Sequence, residues 1–164
     1  MATVTVLLPV RNGEKWLGQC LEALVEQSYK NFKVLLVDDG STDRTVQIAT
    51  AFDSLNMRIV RGPRQGLAQA LAMGVRAIDS PYIARQDHDD WSYPDRLEEQ
   101  VRFLEDNPDV VAVGSQARFF SESRAEVSQQ RLPTSDHAIR LRMLLFNPFV
   151  HTSVMMRRDA VLAA

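Results

Sequence analysis

Tyr82-Ile83-Ala84-Arg85-Gln86-Asp87-His88-Asp89-Asp90-Trp91-Ser92-Tyr93-Pro94-Asp95-Arg96-Leu97 is the stretch on which the reading of this chain turns. Tyr82 to Ala84 has the length and apolar character of a buried strand. Three carboxylates follow within four positions, Asp87, Asp89 and Asp90. Pro94 then suits the first turn of a helix, where its missing N–H is no loss. A strand that ends in carboxylates and passes into a helix places oxygen ligands at the carboxyl edge of an α/β sheet, where ligands bind. On extended backbone Asp87 and Asp89 share a face while His88 points away. Like charges so close repel unless a cation lies between them. Oxygen donors without cysteine suit Mg²⁺ or Mn²⁺ rather than structural zinc. Taken alone, an Asp-x-Asp reads more simply as a solvated acidic cap, so its surroundings decide.

Outward from that stretch the chain alternates strand and helix. Val4 to Leu8 is an apolar run closed by Pro9, and Trp16, Leu17, Cys20, Leu21, Leu24 and Val25 recur at helical spacing. Lys33 to Val37 is apolar on both faces after its first residue, the pattern of a central parallel strand. Asp38 to Asp43 is a turn feeding a helix that Ser41 or Thr42 can cap, with Val46, Ile48, Ala49 and Phe52 as its stripe. Met57 to Val60 is a third strand, Gly66 to Ile78 a helix, and Leu97, Val101 and Leu104 carry the helix behind Pro94. Further on, Val110 to Gly114 and Gln116 to Phe120 read as strands, Ser121 to Gln130 as a loop or hairpin, Asp136 to Phe146 as a helix, and Thr152 to Met156 as a last strand. The expected fold class is α/β, a mostly parallel central sheet flanked by helices on both faces. Residues 1–164 make a single domain.

Composition narrows the function classes. A hydrophobic fraction of 45% and a charged fraction of 24% are those of a globular protein. A formal net charge of −2 gives no reason to expect nucleic acid as a partner. Cys20 is the one cysteine, which excludes an internal disulfide and suits a reducing, cytoplasmic compartment. The N-terminal residues lack a basic leader, and no transmembrane segment is visible in these residues. The Gly-x-Gly-x-x-Gly and Walker A patterns are absent after the first strand, so phosphate is not recognised through a glycine-rich loop.

Three strand ends should therefore meet on one edge: Pro9-Val10-Arg11-Asn12-Gly13, Asp38-Asp39-Gly40-Ser41 and Asp87-His88-Asp89-Asp90. Such an edge suits a ligand with a hydrogen-bonding head and a phosphate tail. A uracil-type base offers an N–H that Asp39 can accept, and a diphosphate can share a metal with Asp87 and Asp89.

Val6-Leu7-Leu8-Pro9-Val10-Arg11-Asn12, Leu36-Val37-Asp38-Asp39-Gly40-Ser41-Thr42-Asp43, Asp87-His88-Asp89-Asp90 and Pro94-Asp95-Arg96-Leu97, in this order and spacing, resemble glycosyltransferase family 2. The resemblance covers essentially the whole chain. It implies the GT-A fold, a divalent cation held by an Asp-x-Asp element, and inverting transfer of a sugar from a nucleoside diphosphate to an acceptor hydroxyl. Carried over by position, Pro9, Val10, Arg11 and Asn12 border the base, Asp39 accepts from it, and Asp38 orients the loop. Gly66 opens a Gly-Leu-Ala helix start near ribose and phosphates, while Ala72 stands where many relatives have asparagine. Asp89 is the first metal ligand and Asp87 the second, with His88 at the variable position between them. His151 and Trp91 are candidates for the acceptor or diphosphate side, each with a plain structural role as its competitor. Arg157 and Arg158 read more simply as solvated arginines than as phosphate ligands.

The chemistry implied is loss of a diphosphate from an oxocarbenium-like sugar, with a base taking the acceptor's proton. The family draws that base from a downstream acidic motif. After Arg131 this sequence has only Asp136 and Asp159, neither in that context. The expectation is thus a donor-binding portion truncated at its C-terminus, with the base beyond Ala164 and no activity of its own. A UDP-sugar is the favoured donor and a saccharide or lipid-linked saccharide the acceptor, in bacterial surface polysaccharide synthesis, in the cytoplasm or at the inner face of the membrane. The alternative is a non-catalytic module that binds a nucleotide sugar or a protein. A nucleotidyltransferase would need a glycine-rich, lysine-containing loop after the first strand. A receiver domain would need an acidic pair where Pro9-Val10-Arg11 stands.

Overall fold

The computed structural model describes residues 3–62, 64–121 and 126–164. Strands β1 (Val4–Val10), β2 (Phe32–Asp38), β3 (Met57–Arg61) and β4 (Tyr82–Arg85) alternate with helices α1 (Leu17–Val25), α2 (Thr45–Thr50) and α3 (Leu67–Ala77). Helix α4 (Arg96–Asp106) follows β4, and then come β5 (Ala112–Val113), β6 (Ala117–Phe120), β7 (Glu126–Gln130) and α5 (Asp136–Met143). A 3₁₀ turn over His151–Ser153 leads into β8 (Met155–Arg157) and α6 (Arg158–Ala163). The main sheet runs β3-β2-β1-β4-β8-β5. Strands β1 to β4 are parallel, whereas β8 lies antiparallel between β4 and β5. The mostly parallel sheet expected from sequence is the one observed.

Both faces of β1 are buried, as its almost wholly apolar run requires, and its one polar side chain, Thr5, is hydrogen-bonded to Ser80 (2.6 Å). Val4, Val6, Leu8 and Val10 face one layer, where they pack with Leu17, Leu21 and Leu24 of α1, Ala49 of α2, and Leu97, Val101 and Leu104 of α4. Leu7 faces the other, with Leu35, Val37, Ile83 and Ala70 of α3. Gly74 lets α3 approach closely, since a Cβ there would sit 2.3 Å from Leu7 Cδ1. Each fully buried leucine on this list contributes about 2 kcal/mol.

Several boundaries differ from the pattern-based expectation. β5 has two residues rather than five, and the last strand begins at Met155 because residues 151–153 turn. β6 and β7 form a separate antiparallel pair, and residues 122–125 of the expected loop or hairpin lie outside the described residues. Helix α5 stops at Met143 rather than Phe146 and buries none of its residues; Leu141 on it and Leu144 and Leu145 just past it are exposed. Arg157 is not a solvated arginine. Its guanidinium donates to the carbonyls of Leu104 (2.6 Å) and Val110 (2.9 Å), closing the C-terminal end of α4. Arg158 does the same for α3 through Ile78 O (2.6 Å). Helix ends leave carbonyls without intrahelical partners, and these two side chains supply donors.

Candidate functional site

The parallel register puts the carboxyl ends of β2, β1 and β4 side by side, so the three expected loops do meet on one edge. Val10 O accepts from the N–H of Asp39 (2.8 Å), joining the ends of β1 and β2. Asn12, at φ 53°, donates its N–H to Ser41 Oγ (2.9 Å) and accepts from the N–H of Thr42 (2.9 Å). Asparagine tolerates this left-handed conformation better than other non-glycine residues. Gly13 N–H donates to Thr45 Oγ1 (2.8 Å). Pro9 and Val10 are buried within β1, while Arg11 and Asn12 are exposed. Asp38 Oδ1 accepts from the N–H of Ser41 (3.0 Å), which is the loop-orienting role expected of it. Neither Ser41 nor Thr42 caps α2: Arg44 holds the N-cap position without a side-chain cap, and Asp43 Oδ1 just before it accepts from the N–H of Thr45 (3.0 Å).

Asp39 is buried to 3% exposure, and its two oxygens differ. Oδ2 accepts from the N–H of Gly66 (2.8 Å), in the turn ahead of α3, where Gly66 holds φ 90°. Oδ1 is buried without a partner. A Cβ at Gly62 would come within 2.9 Å of it. An unpaired buried carboxylate oxygen costs about 1–3 kcal/mol or more, so this one is an acceptor awaiting a donor. A cavity of 480 Å³ past the end of β2 is lined by Asp38, Ser41, Thr42, Arg61, Gly62 and Arg64 among others, and Asp39 does not line it.

The residues after β4 do not continue as extended chain. Asp90 N–H bonds Asp87 O (3.3 Å), closing a turn with His88 and Asp89 at its tip. The alternation argument therefore does not apply here. Instead Asp89 is exposed at the tip, and His88 packs against Gly13, where a Cβ would meet its Cδ2 at 2.8 Å. Asp87 is engaged by Arg85, whose terminal nitrogen donates to both carboxylate oxygens (2.9 and 3.1 Å). Asp90 is half-buried; burial and the neighbouring charges of Asp89 and Asp87 push its carboxyl above the ordinary value, against a hydrogen bond from Thr152.

A buried polar frame that the sequence pattern did not disclose holds this turn. Gln86 Nε2 donates to the carbonyls of Asp87 (3.2 Å) and Asp90 (2.9 Å). Arg96 donates to Gln86 Oε1 (2.7 Å), Ser92 Oγ (2.8 Å), Gln100 Oε1 (3.2 Å) and Arg85 O (2.7 Å). Burial lowers the Arg96 guanidinium to about 10. Thr152 Oγ1 accepts from the N–H of Asp87 (2.9 Å), and the thiol of Cys20, pushed up by burial, lies against Asp87 O. Cys20 is thus the small core residue its sequence neighbours suggested.

On the flank of this turn away from Asp39 lies a second cavity, of 420 Å³, lined by Asp89, Asp90, Trp91, Gln116, Phe120 and Thr152 among others. Trp91 is exposed to 45%, and its ring centroid is 5.3 Å from that of Phe120 on the cavity wall. His151 is exposed, with its Nε2 against the side-chain amide of Asn147.

Among the described residues no group of three or more His, Cys, Asp or Glu is arranged to hold a metal ion. Mg²⁺ and Mn²⁺ do not require one, because such cations are commonly held by one or two carboxylates together with substrate phosphates. The donor set here, exposed Asp89 with Asp87 behind it, fits a cation shared with a diphosphate and does not fit a cage made by protein alone.

The family model described as Glycosyl transferase family 2 matches residues 5–163. A putative glycosyltransferase, EpsE, of Bacillus subtilis is 35% identical over 96% of this chain, which spans 57% of that protein. The amylovoran biosynthesis glycosyltransferase AmsE of Erwinia amylovora is 34% identical over 98% of this chain, which spans 62% of it. Among solved structures, TarS 1-349 of S. aureus in complex with UDP-GlcNAc superposes with a TM-score of 0.77 at 18% identity, covering 98% of this chain and 47% of its own. The mannosyltransferase PcManGT of Pyrobaculum calidifontis, in complex with GDP-Man and Mn²⁺, gives 0.72 at 22%, covering 98% and 46%.

Proposed function

The chain belongs to glycosyl transferase family 2 and has the GT-A fold, and from that premise we propose that it is the donor-binding portion of an inverting transferase that takes a UDP-sugar. The observation that carries this reading is the buried, unpartnered Oδ1 of Asp39 at the shared edge of β1, β2 and β4. A uracil ring offers one imide N–H, which one free oxygen can accept. A guanine edge offers two adjacent donors, and Oδ2 is already taken by Gly66. Pro9, Val10, Arg11 and Asn12 border the base, Asp38 keeps the loop in place, and Gly66 brings the start of α3 towards ribose and phosphate. Asp87, His88 and Asp89 meet the diphosphate. A divalent cation, Mg²⁺ or Mn²⁺, held by Asp89 and Asp87 offsets the charge of the leaving diphosphate when bound. The 420 Å³ cavity, with Trp91 on its wall, is where a saccharide or lipid-linked saccharide acceptor has room.

The two acids after Arg131 do not supply a base. Asp136 is exposed and paired with Arg140 (2.7 Å), and Asp159 is 97% exposed beside Arg158. The base is therefore assigned to residues outside this chain, in keeping with its span of little more than half of its curated relatives. The similarity to AmsE, named for amylovoran biosynthesis, favours surface polysaccharide synthesis as the process. No helix among the described residues is long and apolar enough to cross a membrane, and we place the protein in the cytoplasm, where a lone cysteine stays reduced.

Calorimetry with UDP tests the reading. Binding should require Mn²⁺, lose that requirement's benefit in Asp89→Ala, and weaken about tenfold or more in Asp39→Ala. Unchanged affinity in both variants rejects it. The competing reading, a non-catalytic module, also keeps UDP binding. It gains if a longer protein containing this chain binds donor and never consumes it.

A further inference from the structure

Arg85 is the last residue of β4, and its backbone is fixed on both sides: its N–H donates to Val154 O (2.8 Å) and its carbonyl accepts from Arg96. Its side chain is 9% exposed. The hydrogen bonds found for its guanidinium among the described residues all go to Asp87, and its Nε is buried without an acceptor. An arginine does not shed its proton in a protein, so a guanidinium this deep needs an anion. Asp87 is that anion, which means the carboxylate expected to ligate a metal is already in use.

We propose that Arg85 is the built-in counter-charge of the acidic turn, a positioning residue that admits a divalent cation only together with a diphosphate. The inference rests on the donor-site reading above and specifies how that site fills. A bare cation that draws Asp87 away leaves a buried guanidinium uncompensated. A diphosphate arriving with the cation brings anionic oxygens that can take the place of Asp87 on Arg85. The remaining charges around the turn are Asp89, Asp90, His88 and the buried Arg96, which is directed to Gln86, Ser92 and Gln100 and away from Asp87. With Arg85 present, one carboxylate of the turn is held by a guanidinium; without it, none of the three is hydrogen-bonded to one among the described residues.

Electron paramagnetic resonance of free Mn²⁺ reads this directly, with UDP added or withheld. The wild type should bind Mn²⁺ weakly alone and much more tightly with UDP. In Arg85→Gln the affinity for Mn²⁺ alone should rise about tenfold or more, and the enhancement by UDP should shrink. Asp87→Asn serves if Arg85→Gln does not give the native circular dichroism and a cooperative melt. Because Asp87 is held by Arg85, Asp87→Asn should cost less bare Mn²⁺ affinity than Asp89→Asn while weakening Mn²⁺ binding in the presence of UDP. Arg85→Gln with unchanged bare affinity overturns the proposal, as does an Asp87→Asn loss of bare affinity equal to that of Asp89→Asn. A wild type that shows no mutual dependence of Mn²⁺ and UDP at all overturns the donor-site reading itself.

Discussion

The imidazole of His88 rests on Gly13: a Cβ built at Gly13 would lie 2.8 Å from His88 Cδ2 and 2.6 Å from Val10 Cγ2. This contact ties the tip of the acidic turn after β4 to the loop after β1. The same loop is tied to the turn after β2 by Gly13 N–H on Thr45 Oγ1 and by Asn12 on Ser41 and Thr42. Three segments distant in sequence thus form one rigid rim, and His88 is part of its masonry.

Gly13→Ala should therefore act on the site before it acts on the fold. Overpacking of this kind costs about 1–3 kcal/mol, and the movable partner is the turn carrying His88 and Asp89. The expected result is a lower Tm together with weaker Mn²⁺-dependent UDP binding by calorimetry. His88→Ala in the same chain should restore part of the lost Tm, leaving the Val10 clash. A Gly13→Ala variant with wild-type affinity would show that the two loops are not coupled.

Asp90 gives a pH dependence whose sign follows from its surroundings. Burial, then the charges of Asp89 and Asp87, hold its folded-state carboxyl above the ordinary value. The folded protein consequently binds more protons than the unfolded chain between the ordinary carboxylate range and that raised value, and stability falls as pH rises through this window. Asp90→Asn removes the term. Its Tm at neutral pH should exceed that of the wild type, and the gap should close on acidification through the window. Thermal melts of both proteins in metal-free buffer from pH 4 to 7 would show it. An Asp90→Asn protein less stable than wild type at neutral pH would mean the Thr152 hydrogen bond outweighs burial.

The fold was legible because its central strands carry apolar residues on both faces. Val4–Val10 and Val34–Val37 permit no other placement than the middle of a parallel sheet. The three loops of the rim were legible for the same reason, since parallel neighbours must end on one edge. The turn at Asp87–Asp90 was not legible, because its shape is imposed by Gln86, Arg96 and Thr152, and the last of these comes from 65 residues away. Pattern reading assigns arginine and glutamine to the surface. Arg85, Arg96, Gln27 and Gln100 are buried, each made tolerable by partners that sequence spacing does not reveal. Helix α5 was legible as a helix, but the exposure of Leu141 and Met143 on it is not something its spacing reveals.

Gln27 is fully buried and links α1 to the start of α4. Its Nε2 donates to Tyr93 O (2.7 Å), and its Oε1 accepts from the N–H of Leu97 (3.1 Å), an amide that α4 itself cannot satisfy. Gln27→Leu preserves volume and strands the N–H of Leu97, while Tyr93 O keeps the N–H of Arg96 (3.1 Å). At about 1–3 kcal/mol for a buried group left unpaired, unfolding in urea should show a loss of that size with an unchanged slope. A loss below about 1 kcal/mol would mean that water reaches this group.

Arg157 separates a structural arginine from a phosphate ligand. Its guanidinium reaches Leu104 O, Val110 O and the Tyr82 hydroxyl (3.3 Å), and lies 5.5 Å from the Tyr82 ring centroid. All of these partners belong to the end of α4, the approach to β5 and the start of β4, away from the residues that line either cavity. Arg157→Ala removes the guanidinium donor from Leu104 O and Val110 O and should destabilise the protein by about 2–3 kcal/mol. Its affinity for UDP with Mn²⁺, measured at a temperature where the variant is folded, should match that of the wild type. A selective loss of UDP binding with stability preserved would instead place Arg157 on the phosphates and would require the β8 edge to be part of the donor site.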